Sequence, residues 1–148
     1  MIGFDGTAFR ALFAAADPLA PASAPEGRFH HSGQWALYAS LTPEGCAVAI
    51  RRYLRPDDPP RVVVALRVTG RMVDLRGRTE ASVVWQDGWA AGTPSPTWAF
   101  SDAARAAGAQ GLLYSSRSRP DLAHLAIFDP AAVRRAADGA ARAFPGAG

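Results

Sequence analysis

The sequence contains no lysine; all sixteen of its basic residues are arginine. That bias fits the alanine richness of a GC-rich coding sequence, and it leaves guanidinium as the only always-charged cation. Cysteine occurs once, at Cys46, so no intramolecular disulfide can form. One cysteine and three histidines are too few for a closed structural zinc site. No apolar run approaches the roughly 20 residues a membrane helix needs. Met1–Asp5 shows neither a basic n-region nor an apolar h-region, so a cytoplasmic protein is expected, with no membrane association. The net charge is only +3, and the arginines are scattered apart from Arg51-Arg52 and Arg134-Arg135. A solvated surface is the expected reading rather than direct nucleic-acid binding. Gly-rich phosphate loops, a helical His-Glu-x-x-His and a nucleophile elbow are all absent.

What is present describes an ordinary globular chain. The 148 residues suit one domain over 1–148, and the hydrophobic fraction of 49% suits a single core. Residues 5–16 read as a helix capped by Asp5, with Phe9, Leu12, Phe13 and Ala16 on one face. Residues 18–26 read as a loop, followed by short extended segments at 28–31 and 36–38. Thr42-Pro43-Glu44 opens a helix to about Leu54. Residues 61–69 form the clearest strand, with a second at 71–75 after Gly70. Residues 76–94 are ambiguous, with Trp85 and Trp89 as packing residues. Ser95-Pro96 opens a helix ending near Gly108, and 110–114 and 123–128 read as strands. Asp129-Pro130 starts a C-terminal helix over 130–143, and the tail from Phe144 is expected to fray. This order lacks regular βαβ alternation. It predicts a compact α+β domain.

The chemistry concentrates in Gly27–Ser40, which holds Arg28, His30, His31, Trp35 and Tyr38 beside two turn glycines. Large polar-tipped side chains next to turns suit a ligand-facing rim. Tyr114-Ser115-Ser116-Arg117 reads as a second half of the same pocket. Taken singly, Arg28 is a surface arginine, Tyr38 a half-buried core tyrosine and Ser116 a turn residue. Together they can bind a dinucleotide by phosphate pairing, ring stacking and hydroxyl hydrogen bonds. His30 and His31 are adjacent, so in a strand they face opposite ways and cannot share a pocket. His124, inside an apolar strand, reads as a hydrogen-bonded packing residue.

Gly27-Arg28-Phe29-His30, then Tyr38, then Leu41-Thr42-Pro43-Glu44 resembles the front half of the RES domain. Pro96–Phe100 through Gly108–Arg117 is similar to its back half, and Leu125–Asp129 to its closing strand. The likeness spans roughly residues 8–130. It implies a split mixed sheet with flanking helices, like that of ADP-ribosyltransferase toxins. It also implies a toxin of a type II toxin–antitoxin pair whose substrate is NAD⁺, with no metal. The implied partner is an Xre-like antitoxin with a toxin-binding C-terminal domain, in an assembly built on dimers. The implied activities are NAD⁺ hydrolysis or phosphorolysis, or ADP-ribosylation of a protein target.

The resemblance carries the family Arg to Arg28, its Tyr to Tyr38 and its Ser to Ser116. The family Glu lies eleven residues after that Tyr, which here is Ala49. Breaking the nicotinamide–ribose bond builds positive charge on the ribose, which a carboxylate stabilises and a methyl does not. Glu44 is five residues earlier on the same helix, about 140° away around its axis. Glu80 and Asp102 are the other carboxylates weighed. Two functions are therefore expected to compete: an NAD⁺-cleaving toxin, and a degenerate module that holds antitoxin or nucleotide with little turnover.

Overall fold

The computed structural model describes residues 1–86, 92–137 and 142–144. Its strands are β1 (Ile2–Phe13), β2 (Leu37–Ser40), β3 (Arg61–Asp74), β4 (Gly111–Ser115), β5 (Ala123–Ile127), β6 (Val133–Arg135) and β7 (Arg142–Ala143). The helices are α1 (Pro43–Ile50), extended by a 3₁₀ turn over Arg51–Tyr53, and α2 (Trp98–Ala106). The architecture is α+β.

One mixed sheet holds all seven strands, in the order β1-β2-β5-β4-β3-β6, with β7 also on β3. β1 pairs with β3 as well, so the path closes on itself like a barrel. The β1–β3 ladder runs the whole of β1, from Ile2 opposite Met72 to Phe13 opposite Arg61. β3 and β4 are parallel, and the other pairs are antiparallel.

Strand alternation divides the apolar residues into two faces. Leu37, Val64, Leu66, Val68, Met72, Leu113, Leu125 and Ile127 fill the barrel interior, all nearly or fully buried. The opposite face has two covers. Around Leu112, Tyr114 and Ala126 it is packed by Phe29 and by Ala104 of α2. Around Val63 it is packed by Cys46 of α1 and by Phe144.

Several expectations are corrected. Residues 5–16 are not a helix: 5–13 belong to β1 and 14–16 turn away after it, because twelve residues of ladder to β3 outweigh an apolar spacing that also fits helical period. Residues 61–69 and 71–75 are one continuous strand, since Gly70 sits in the ladder opposite Phe4. Residues 28–31 form a loop with a single bridge from Gly27 to His30. The helix expected over 130–143 is a 3₁₀ turn at Pro130–Ala132 followed by β6, because Val133–Arg135 pair with Leu66–Val68. Of that span, 138–141 lie outside the described residues, as do Trp89 and the tail 145–148. Phe144, expected to fray, is buried.

Candidate functional site

Beside the α1 cover lies a cavity of about 360 Å³. β1 contributes Phe9, Arg10 and Ala11 to its wall, β2 contributes Tyr38 and Ser40, and α1 contributes Cys46, Ala49 and Ile50. Tyr114 and His124 close it; they are directly opposite each other on β4 and β5. No carboxylate lines it among the described residues.

α1 forms as the sequence dictates. The Thr42 side chain accepts from Gly45 N at 3.0 Å, and Pro43 opens the helix. Cys46, Ala49 and Ile50 are spaced i, i+3, i+4, so one face of α1 looks into the cavity. Ala49 is solvent-exposed there, leaving room for a larger side chain. Glu44 falls on another face. It is exposed and paired with Arg119 at 3.0 Å, so it does not reach the wall. Asp102 is committed to His31, and Glu80 pairs with Arg78 at 3.7 Å.

Tyr38 has its ring on the wall and its hydroxyl in the loop beneath. The hydroxyl accepts from Phe29 N at 2.9 Å and lies 2.7 Å from His30 Nδ1. His30 Nε2 lies 2.9 Å from the Ala24 carbonyl, which can only accept. A neutral His30 therefore carries its proton on Nε2 and receives the Tyr38 O–H at Nδ1. Burial pushes the Tyr38 phenol well above its ordinary value. Gly27 is required here: a Cβ would meet the His30 ring at 2.5 Å and the Tyr38 oxygen at 2.9 Å.

Arg28 is half-buried beside the cavity rather than in its lining. Its guanidinium stands 5.9 Å over the Tyr114 ring, and Nη1 donates to the carbonyls of Val83 and Ala81. Burial lowers its pKa, and Tyr114 and Tyr38 partly offset this. Tyr114 is pushed up to about 12 by burial, against the pull of Arg28. His124 is lowered to about 4, first by burial and then by the charge of Arg28, so it is neutral at pH 7. Its Nδ1 lies 2.7 Å from Ser40 Oγ. Arg10 donates to the Pro18 and Ala20 carbonyls, and burial lowers its pKa too.

Ser116 is buried just past β4, and its Oγ accepts from Arg119 N at 3.2 Å. That bond holds the 116–122 turn, and the residue is not in the cavity wall. The structure thus gathers Arg28, Tyr38, Tyr114 and Ala49 at one place and leaves Ser116 at its edge. His124 and Arg10 are wall residues that the sequence reading did not assign to the pocket. The His124–Tyr114 pairing is visible only once the β4–β5 register is known, and Arg10 was hidden by reading 5–16 as a helix. No group of three His, Cys, Asp or Glu side chains is placed to hold a metal among the described residues.

α2 clasps the loop that carries Arg28. Thr97 Oγ1 donates to the Arg28 carbonyl, and Trp98 Nε1 donates to the Gly27 carbonyl at 2.8 Å. Arg105 donates to the carbonyls of Phe29 and Trp35, over the Phe128 ring at 3.9 Å. Asp102 binds His31 at 3.0 Å and Gln34 at 3.2 Å. The loop tip turns at Ser32 and Gly33, with φ of 53° and 77°, the signs a type I′ turn requires.

The site is therefore a basic, aromatic cavity on the outer face of a closed mixed sheet, of the size and polarity of a small-ligand pocket. The model of the RES domain matches residues 6–145, and the chain belongs to that family. A search of curated proteins returns no match. Among solved structures the chain is similar to the M. tuberculosis MbcT–MbcA toxin–antitoxin complex. The TM-score is 0.66 at 20% identity, covering 96% of this chain and 82% of that one. At that identity the likeness is one of fold.

Proposed function

We propose that this chain is the toxin of a RES-type toxin–antitoxin pair, that its cavity binds NAD⁺, and that it breaks the nicotinamide–ribose bond there. The observation that supports this most is the convergence of Arg28, Tyr38 and Tyr114 on one cavity whose nearby charges, Arg10 and Arg28, are both positive. A pyrophosphate suits half-buried guanidinium groups. The two phenol rings suit flat heterocycles. In the reaction the C1′–N bond breaks, nicotinamide leaves with the electron pair, and an acceptor adds to the ribose. With water as acceptor one proton is released; phosphate or a protein side chain are the other acceptors of the same chemistry. A solved toxin–antitoxin complex of this fold favours neutralisation by a cognate antitoxin, for which an Xre-like protein is the proposal. A cytoplasmic location follows from that reading.

A second reading has its own support. No carboxylate stands on the described wall, and the wall residue Ala49 is where the resemblance to the family implies a Glu. On that reading the chain binds antitoxin or nucleotide with little turnover.

Purified chain, free of antitoxin, separates the two when incubated with NAD⁺ and assayed for nicotinamide. The toxin reading expects NAD⁺ loss with stoichiometric nicotinamide, abolished in Arg28→Ala and reduced in Arg28→Lys. Absence of both nicotinamide release and ADP-ribosyl transfer, with NAD⁺ still bound, establishes the module reading instead.

A further inference from the structure

The outer face of the barrel holds a second concavity, of about 340 Å³, which spans β1, β3 and β6. Thr7, Arg67, Arg134 and Arg135 line it, with Ala136 and Ala137. Register explains the cluster. Arg67 on β3 is directly opposite Thr7 on β1 and directly opposite Arg134 on β6. Like charges placed opposite each other on neighbouring strands destabilise a sheet. Among the described residues, one carboxylate answers them. Asp5 Oδ1 takes Arg67 Nη2 at 2.6 Å and Thr69 Oγ1 at 3.0 Å, which fixes the Arg67 guanidinium beside the cleft. Arg134 and Arg135 are exposed, and their side chains have no hydrogen-bond or ion-pair partner among the described residues. The sequence reading took Arg134-Arg135 for a solvated pair; the fold adds Arg67 and a concave floor.

We infer that this cleft is an anion site for a small oligophosphate, a ligand bearing two or more linked phosphate groups, separate from the NAD⁺ cavity. Three arginines line one concavity, with Arg67 and Arg134 directly opposite each other on its floor, against one carboxylate among the described residues, and the planar forks of guanidinium groups match phosphate oxygens. The size of the cleft favours a compact anion. An extended polyanion such as duplex DNA would need the positive charge to continue as a stripe, and here Asp5 flanks the cluster. The site is distinct from the first cavity, since none of the three arginines lines that wall. The two are close nonetheless: Thr7 and Phe9 are alternate residues on one face of β1, about 7 Å apart along the strand.

Isothermal titration of the full chain with sodium tripolyphosphate tests this. Saturable one-to-one binding is expected, weakened about tenfold or more in the Arg134→Ser/Arg135→Ser double variant, which loses charge-assisted hydrogen bonds. Both positions are exposed, so the variant keeps the fold, and its circular dichroism should match that of the parent. Arg55→Ser, exposed and away from the cleft, is expected to bind as the parent does. No saturable binding, or equal weakening by Arg55→Ser, overturns the inference. A mixed-sequence 12-base-pair duplex that binds through Arg134 and Arg135 while tripolyphosphate does not would also overturn it, in favour of nucleic acid. NAD⁺ turnover is a separate readout, so failure here leaves the first cavity's role untouched.

Discussion

Three side chains of the cavity make separable predictions. Ala49 has solvent beside it, so Ala49→Glu should fold and place a carboxylate on the wall. Nicotinamide release should rise at least tenfold, since one positioned electrostatic group is worth about 10²–10³ in rate; an unchanged rate would mean the carboxylate was not the missing part. Tyr38→Phe removes the acceptor for Phe29 N and the partner of His30 Nδ1. It should cost about 1–3 kcal/mol, read from the urea midpoint, because it leaves buried polar groups unpaired. His124 should make stability fall with acid. Its pKa is about 4 in the folded chain, against 6.5 ordinarily. Between these values the unfolded chain takes up a proton that the folded chain refuses. The contribution is complete above pH 6.5 and is lost as pH falls toward 4, by about 3 kcal/mol at most. Urea unfolding from pH 7 to pH 4.5 should show a steeper loss in the parent than in His124→Gln; parallel curves would assign the acid sensitivity to other groups.

Elements differ in how plainly the sequence announces them. α1 was legible because its signals are local: a threonine cap, a proline at the first position, a glutamate in the first turn. β3, β4 and β5 were legible because β-branched and apolar runs fit buried strands. β1 and β6 were not. Both owe their conformation to pairing with β3, many residues away, and neither alanine-rich nor mixed apolar sequence declares that pairing. α2 was legible as a helix but not as a clasp. Its hold on the 27–35 loop has a direct test. Arg105→Ala removes the donors to the Phe29 and Trp35 carbonyls. Amide exchange at Phe29 and Gln34 should quicken, with Leu66 in the barrel wall unchanged; uniform quickening would indicate global destabilisation instead.

At the scale of the whole molecule, the closed strand path gives a short chain both a buried apolar interior and two surface concavities. Leu66 is wholly buried in the barrel interior. Leu66→Ala should cost about 2–5 kcal/mol by denaturant unfolding, the range for a large-to-small core change; a smaller loss would mean the interior collapses around the gap. The cavity lies between α1 and the outer face of the sheet, and the basic cleft where β6 joins β3.

The sequence alone determined the α+β class, the helix that carries Ala49, the family likeness, and the two stretches that supply Arg28, Tyr38 and Tyr114. Those follow from caps, residue spacing and local composition, which act over a few residues. Only the tertiary structure decided that Arg28 stands beside Tyr114, that His124 and Arg10 belong to the wall, that Glu44 is spent on Arg119, and that Arg67 meets Arg134. Each of these depends on strand register and on which face a residue takes. In a sheet whose side chains alternate every residue, that is fixed by long-range hydrogen bonding and not by the residues themselves.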